Sequence, residues 1–319
     1  MQPSLLNSRA ARGALVGEFK ASLGATGGLF YRVIYDPSDR INRIADVETI
    51  GPQRFCDVFN AAAGRGVGVA MLGEDDPARL DVLLDALPGA NQFECSALEA
   101  MPEGIRRMWT ACGIVQAMGT NLFSEHGHLG WFGVLRGQDA PVFDTAALAL
   151  ATARLPTLID VLHAVHTLDQ APTLAASSVA VLNAAGQLQQ GSEAVTRWLE
   201  QSGATPRIAQ WLRAHRAGEA PPCRTTMGGR LVTFAPLLDG RLMLVFRTHD
   251  NPAFPLLQML SRRQRMVAAR AALGHTAQQI GDSLEISAET VRTHLREIYQ
   301  RLEIESRTEL TAMVKKLVT

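Results

Sequence analysis

In the last fifth of the chain, apolar residues recur with the period of an α-helix. Val291, Leu295, Ile298 and Leu302 stand at i, i+4, i+7 and i+11, a single stripe that must face other helices. Ala277, Ile280 and Leu284 form a shorter stripe upstream. Ser261-Arg-Arg-Gln264, Thr276-Ala-Gln-Gln279 and Ser306-Arg-Thr-Glu309 share the spacing in which a hydroxyl and a side chain three residues on satisfy a helix's first amides. Gly274 suits the left-handed position after a helix, and Ser287 suits an N-cap. Together these signals predict four helices, at 261–273, 276–284, 287–302 and 306–317, with Glu285-Ile286 as a short turn between the second and third.

Upstream, helical periods alternate with short β-favouring runs. A helix is expected near Leu5 to Leu23, then a strand over Gly27 to Tyr35, whose aromatic and β-branched residues favour extended backbone. A helix over about 102–117, a strand over Leu129 to Arg136, a turn at Gly137 to Pro141 and a long helix capped by Asp144 follow. A strand at Val179 to Leu182, a turn at Asn183 to Gly186 and a helix near Ser192 to Gln201 open a further module. Leu231 to Leu238 and Arg241 to Arg247 flank Asp239-Gly240, a dipeptide suited to a two-residue hairpin turn. Breaks at Asp169 to Pro172 and at Asn251, Pro252 and Pro255 divide the chain into 1–170, 171–252 and 253–319. No internal repeat is visible.

A length of 319 residues suits two or three domains, and 47% hydrophobic with 19% charged residues is ordinary for a globular chain. The most apolar window, Thr145 to Leu168, is broken by Arg154, Pro156, Asp160, His163 and His166, so no membrane span is expected. The first residues lack a signal-peptide pattern, and a cytoplasmic location is expected. Cys56, Cys95, Cys112 and Cys223, without a CxxC pair, read as reduced thiols.

Charge changes the picture. The 31 basic and 31 acidic residues cancel, yet from Pro255 onward there are ten basic and seven acidic, net +3, which leaves the remainder at −3. The basic excess therefore sits on the predicted four helices. A helix, a short turn and a second helix presenting Arg292, Thr293 and Arg296 away from its apolar stripe is the arrangement that enters a DNA major groove. Arg in such a place can bond guanine O6 and N7 together, a preference of roughly 1 to 3 kcal/mol over a wrong base.

Leu260-Ser-Arg-Arg-Gln-Arg, Gly274-His-Thr-Ala-Gln-Gln-Ile280, Leu284-Glu-Ile-Ser287, Thr290-Val-Arg-Thr-His-Leu295, Ile298-Tyr-Gln-Arg-Leu302 and Arg307-Thr-Glu-Leu310 resemble the LuxR-type (GerE-like) DNA-binding domain of bacterial transcription regulators. The resemblance implies that the third helix reads the major groove of double-stranded DNA, with Arg292, Thr293 and Arg296 toward bases and Thr290 and His294 near phosphates. It also implies that the last helix supports the bundle and often dimerises. Gln264 stands where the family usually has Glu, and Gly281, where it usually has Ala, is expected to loosen the bundle.

Other constellations lack their partners. Glu74-Asp75-Asp76 would suit a phosphoacceptor pocket only with a later Asp and a Lys, and the lysines are Lys20, Lys315 and Lys316. His126-x-His128 and His163-x-x-His166 have no Cys or carboxylate at ligand spacing, so no metal is expected. No cofactor motif or catalytic motif is found, and Gly64-Arg-Gly-Val-Gly68 has the wrong neighbours for a phosphate cradle. Leu148, Ala151, Leu155, Leu158, Leu162 and Val165 make a short heptad seam that Pro156 is expected to kink. Either a sensor sheet or a second copy of the chain would cover it.

The fold class expected is multidomain: an α+β sensor-like N-terminal region, GAF-like then PAS-like in pattern, and an all-α four-helix helix-turn-helix domain. The function expected is a one-component transcription regulator that binds promoter DNA as a homodimer, contacts RNA polymerase and responds to a small-molecule effector. Phe30, Tyr31, Tyr35, Trp109 and Trp131 are the candidate effector-pocket aromatics. An acyl-homoserine-lactone receptor and a dimeric adaptor that holds proteins without DNA remain the alternatives.

Overall fold

The computed structural model describes residues 8–36, 41–65, 82–101, 103–124, 127–170, 179–219, 221–227, 230–237, 240–247 and 259–318. In chain order the elements are α1 (Ser8–Ser22), β1 (Gly27–Asp36), β2 (Ile41–Ile50), α2 (Gln53–Asn60), α3 (Val82–Ala86), β3 (Glu94–Ala97), α4 (Glu103–Ala111), β4 (Ile114–Ser124) and β5 (Gly127–Gly137). Next come α5 (Thr145–Gln170), β6 (Val179–Leu182), β7 (Leu188–Gln190), α6 (Glu193–Gln201), α7 (Ala204–Arg216), β8 (Arg224–Met227), β9 (Arg230–Pro236) and β10 (Leu242–Arg247). Four helices close the chain: α8 (Arg262–Ala272), α9 (Ala277–Leu284), α10 (Ala288–Leu302) and α11 (Arg307–Val318). The region is mixed α/β before residue 248 and helical after residue 258, as the pattern predicts.

The chain forms two compact units that do not follow consecutive segments: residues 1–23 with 153–251, and 24–152 with 252–319. In the first unit the sheet has the order β7-β6-β10-β9-β8, antiparallel throughout. Its central strands, β6, β9 and β10, are apolar on both faces. Leu182, Val232, Phe234, Leu242 and Leu244 meet Val195, Trp198, Ile208, Trp211 and Leu212 of α6 and α7. On the other face, Thr233 donates through Oγ1 to Oδ2 of Asp160 at 2.8 Å, which places α5 against the sheet. A sheet apolar on both sides needs cover from beyond residues 171–252, and the chain supplies it from α1 and the second half of α5. The boundary expected at residue 170 therefore does not separate the folding units.

Asp160 is 2% exposed and also pairs with Arg224 at 3.1 Å. By length and apolar content, α5 over Thr145–His166 is able to cross a membrane. This carboxylate, buried in a protein ion pair, shows that the second half of α5 packs against protein. Of the heptad seam, Ala151, Leu158, Leu162 and Val165 are buried, and the helix runs on through Pro156.

The second unit's sheet has the order β2-β1-β5-β4-β3, also antiparallel. Counted within each sheet, both orders are 2-1-5-4-3, a structural repetition with no trace in the sequence. Leu29, Ala117 and Leu135 pack beneath Phe55, Phe59 and Trp109 of α2 and α4. The helix expected over 102–117 stops at Ala111: Gly113 takes φ 68°, and the β-branched Ile114-Val115 enters β4. The cap predicted at Asp144 holds, and Ser192 supplies another. Asp144 Oδ1 accepts from Ala147 N at 2.8 Å, and Ser192 accepts from Val195 N.

In the hairpin of β9 and β10, Leu237 N donates to Arg241 O at 2.8 Å. The loop thus spans 238–240, one residue more than a two-residue turn, with 238–239 outside the described residues. Also outside them lie the breaks at Asp169 to Pro172 in part and at 251–255, the triplet Glu74-Asp75-Asp76, His126 and the 66–81 segment.

Candidate nucleic-acid interface

The four C-terminal helices have the boundaries predicted to within a residue, because their caps close as the spacing requires. Ser261 and Gln264, then Thr276 and Gln279, form reciprocal capping boxes, and Ser287 accepts from Thr290 N. At α11 the box is modified: Ser306 Oγ accepts from Glu309 N, while the Glu309 carboxylate takes Ser306 Oγ and Glu305 N. Gly274, at φ 94°, ends α8. Val267, Ile280, Leu284, Val291, Ile298, Leu302, Leu310 and Val314 make the core, with Leu295 half-buried beside it.

The helix-turn-helix is α9, Glu285-Ile286 and α10. Glu285 is left-handed at φ 55°, and Ile286 N donates to Gly281 O at 3.0 Å. A Cβ at Gly281 would lie 2.6 Å from the Ile286 carbonyl oxygen. The glycine therefore admits the turn's backbone against α9, and the expectation that it loosens the bundle is reversed.

With that stripe buried, α10 presents Thr290, Arg292, Thr293 and Arg296 to solvent. Arg292 pairs with Glu289 one turn earlier at 2.8 Å, its side chain 60% exposed. An exposed pair of this kind is worth at most about 1 kcal/mol and is easily exchanged for a phosphate or base. Thr290 Oγ1 shares a 2.8 Å hydrogen bond with the capping Ser287 Oγ at the helix start. His294 is half-buried, its Nδ1 3.8 Å from Glu297 Oε2, so it stands apart from the four outward side chains. Glu289 and Gln300 share the exposed surface of α10 and were not singled out by spacing.

Three other arginines of the domain have internal work. Arg263 donates to Leu284 O, Arg301 to Met259 O at 3.0 Å, and Arg307 to Ala271 O and His275 O, both at 2.7 Å. They satisfy carbonyls at helix ends and in the segment that precedes α8. The net +3 of the segment thus overstates the cations free to meet DNA, and Arg292 and Arg296 are the ones displayed on α10.

The second unit also holds a cavity of about 300 Å³. Tyr31, Trp109 and Trp131 line it, with Leu29, Ile105 and Met108. The Trp131 indole lies flat on the sheet, stacked with Tyr31 at 5.6 Å and 16°. The cross-strand pair Gly119 and Gly133 makes room: a Cβ there would be 2.2 and 2.5 Å from the indole. Desolvation pushes the Tyr31 phenol above its ordinary pKa. Phe30 is a correction, since the alternation of β1 turns it to the opposite face, where it is 1% exposed. Tyr35 lies in β1, its side chain outside the described residues. Spacing missed the polar rim of Asp85, Gln92, Glu94, Ser96 and Arg262, which comes from three separate stretches of chain.

Among the described residues no cluster of His, Cys, Asp and Glu could hold a metal. His128 instead bonds Asn121 Oδ1 through Nε2 at 3.2 Å and packs on Phe123.

Residues 258–314 match the family described as bacterial regulatory proteins, luxR family. A putative HTH-type transcriptional regulator of Escherichia coli (strain K12), YhjB, is 41% identical over 69 residues, 22% of this chain and 34% of the relative. The match thus spans about a third of that relative's length. Among solved structures, Escherichia coli SdiA aligns over 98% of this chain and 92% of its own, at 10% identity and TM-score 0.35. The E. coli DhaR(N)–DhaL complex aligns over 75% and 86%, at 14% identity and TM-score 0.28. The C-terminal domain is accordingly a helix-turn-helix of the LuxR family.

Proposed function

We propose that the chain is a one-component transcription regulator that binds double-stranded promoter DNA as a homodimer and responds to a small-molecule effector bound upstream. The supporting observation is the division of α10 into two faces. Val291, Ile298 and Leu302 are buried in the bundle, while Arg292, Thr293 and Arg296 are exposed on a helix whose start is fixed by Ser287. Arg292 and Arg296 meet base edges, Thr293 offers a methyl and a hydroxyl, and Thr290 and His294 lie toward phosphates. The two α/β sheets, GAF-like and PAS-like in pattern, are the sensing part, with the aromatic cavity as the effector site. A cytoplasmic location and contact with RNA polymerase belong to this reading; catalysis does not.

The test is selection of bound duplexes from a random pool, followed by footprinting. The reading expects an enriched sequence with two half-sites one helical turn apart, about 10 base pairs. Recovery of no enriched sequence overturns it and favours a protein-interaction adaptor.

A further inference from the structure

The cavity in the second unit shares a wall with the helical domain. From Val82 to Gly89 the chain is helical, α3 followed by one tighter turn. Leu84, Leu87 and Ala90 stand three residues apart and are buried in the core that also holds Val267, Ile280 and Leu310. Ala86, Pro88 and Gly89, which alternate with them in sequence, line the cavity. Residues three apart share one side of such a segment, and those between them take the other. Arg262, the first residue of α8, lines the cavity as well. One short segment thus faces both the cavity and the core of the DNA-binding domain.

The sheet side of the cavity is flat, and two glycines make it so. The Trp131 indole takes the space where side chains at Gly119 and Gly133 would stand, 2.2 and 2.5 Å from their Cβ positions. Its other face is left to the cavity, which it lines. Tyr31, its partner across β1 and β5, runs near-parallel to it at 16°. Desolvation raises the pKa of the Tyr31 phenol, so that ring stays protonated and both rings are uncharged.

Met101, Ile105 and Met108 also line the cavity. Thioethers adapt their shape and favour contact with aromatic rings. A flat ring can lie along the indole face in the offset arrangement that aromatic pairs prefer. A puckered ring stands off part of that face, and a gap of roughly 0.5 to 1 Å forfeits a quarter to a half of the attraction. A volume of about 300 Å³ is at the lower end for ligand pockets and suits a small molecule.

We infer that this cavity binds a small, flat aromatic molecule, laid on the indole of Trp131 among Met101, Ile105 and Met108, and that the bound ring shifts the shared wall at Leu84 and Leu87. The core of α8 and α11 feels its presence through that wall. The inference names the effector class for the sensing part of the function proposed above and rests on that reading of the cavity.

The four tryptophans supply the first readout: Trp109 and Trp131 line the cavity, whereas Trp198 and Trp211 belong to the other unit's core. Indole N–H and leucine methyl signals of the full chain are followed by NMR as 2-naphthol or its saturated counterpart, decahydro-2-naphthol, is added. Both probes are uncharged at neutral pH and share one skeleton, so they differ in flatness and aromaticity. 2-Naphthol should move the signals of Trp109, Trp131, Leu84 and Leu87, leave those of Trp198 and Trp211 in place, and bind at least tenfold more tightly than the saturated probe. Trp131→Leu should reduce that preference to twofold or less. The inference is overturned if 2-naphthol leaves Trp109 and Trp131 unmoved, if the saturated probe binds equally well, or if the leucine methyls stay in place. It is equally overturned if Trp131→Leu keeps the preference. The effector reading is tested apart from this, by DNA affinity with and without 2-naphthol: a ring that binds as described and leaves DNA affinity unchanged would overturn that reading alone.

Discussion

Gln264 Nε2 donates to Glu297 Oε2 at 2.8 Å, joining the first turn of α8 to the middle of the recognition helix. The same amide's Oε1 accepts from Ser261 N and from Arg301 Nη1, at 3.0 and 3.2 Å. Gln264 is 3% exposed, so each of these bonds lies where a lost partner is costly. A glutamate, usual here in LuxR-type domains, would keep the two accepting roles and lose the donating one. The glutamine is thus matched to the carboxylate it faces.

Gln264→Glu should lower stability by about 1 to 3 kcal/mol at neutral pH, since it sets two carboxylates against each other. The deficit should shrink as pH falls and one of them takes up a proton. Adding Glu297→Gln restores a donor to the pair and should recover most of the loss. A double-mutant cycle by urea unfolding measures the coupling.

Gly281→Ala should destabilise the domain even though alanine gains about 1 kcal/mol of helix propensity. Its Cβ, 2.6 Å from a backbone oxygen, must push the turn between α9 and α10 aside. Overpacking of this kind costs about 1 to 3 kcal/mol. Thermal unfolding should show a lower midpoint; a higher one would mean that the turn yields freely.

Much of the C-terminal domain was legible before the structure because caps and periodicity are local. Ser261, Thr276, Ser287 and Gly274 each act on residues within one turn, and all four do what their spacing predicts. The upstream sheets depend on distant pairing. β2 and β3 are edge strands without strict alternation, β3 largely exposed, and β4 is buried along both faces, so no period of two marks them and the start of β4 continues a helical pattern. In the cavity, Tyr31, Trp109 and Trp131 were read from residue type, but Phe30 was placed with Tyr31 although neighbours in a strand point oppositely. The rim of Asp85, Glu94 and Arg262 joins residues up to 177 positions apart, and no local pattern reports it.

Asp160→Ala should be among the most damaging single changes in the other unit. It leaves Arg224 and the buried Thr233 hydroxyl without the carboxylate that binds both. Breaking a buried pair by removing one partner costs about 3 to 5 kcal/mol. Denaturant unfolding checks the loss, and Asp160→Asn, which keeps the volume and one acceptor, should recover part of it.

His128 should contribute an acid-labile component of stability. Burial first, then the charge of Arg32, depress its pKa to about 3, against 6.5 for the free side chain. Between those values the unfolded chain binds a proton that the folded chain refuses, so stability is complete above pH 6.5 and falls as pH drops toward 3. The slope is about 1.4 kcal/mol per pH unit. His128→Gln, which can keep a bond to Asn121, should flatten the stability curve over that window.

The central claim is that α10 reads DNA through its exposed arginines. Its most direct test is fluorescence anisotropy of the full chain with a selected duplex, across a range of salt concentrations, for the wild type and the Arg292→Ala, Arg296→Ala double variant. Each phosphate neutralised contributes about 0.9 to the salt slope. Since Arg263, Arg301 and Arg307 are committed to backbone carbonyls of the domain, the slope should be shallow, and the double variant should lose at least tenfold in affinity. Binding that ignores salt, or an affinity unchanged by both substitutions, would contradict the claim.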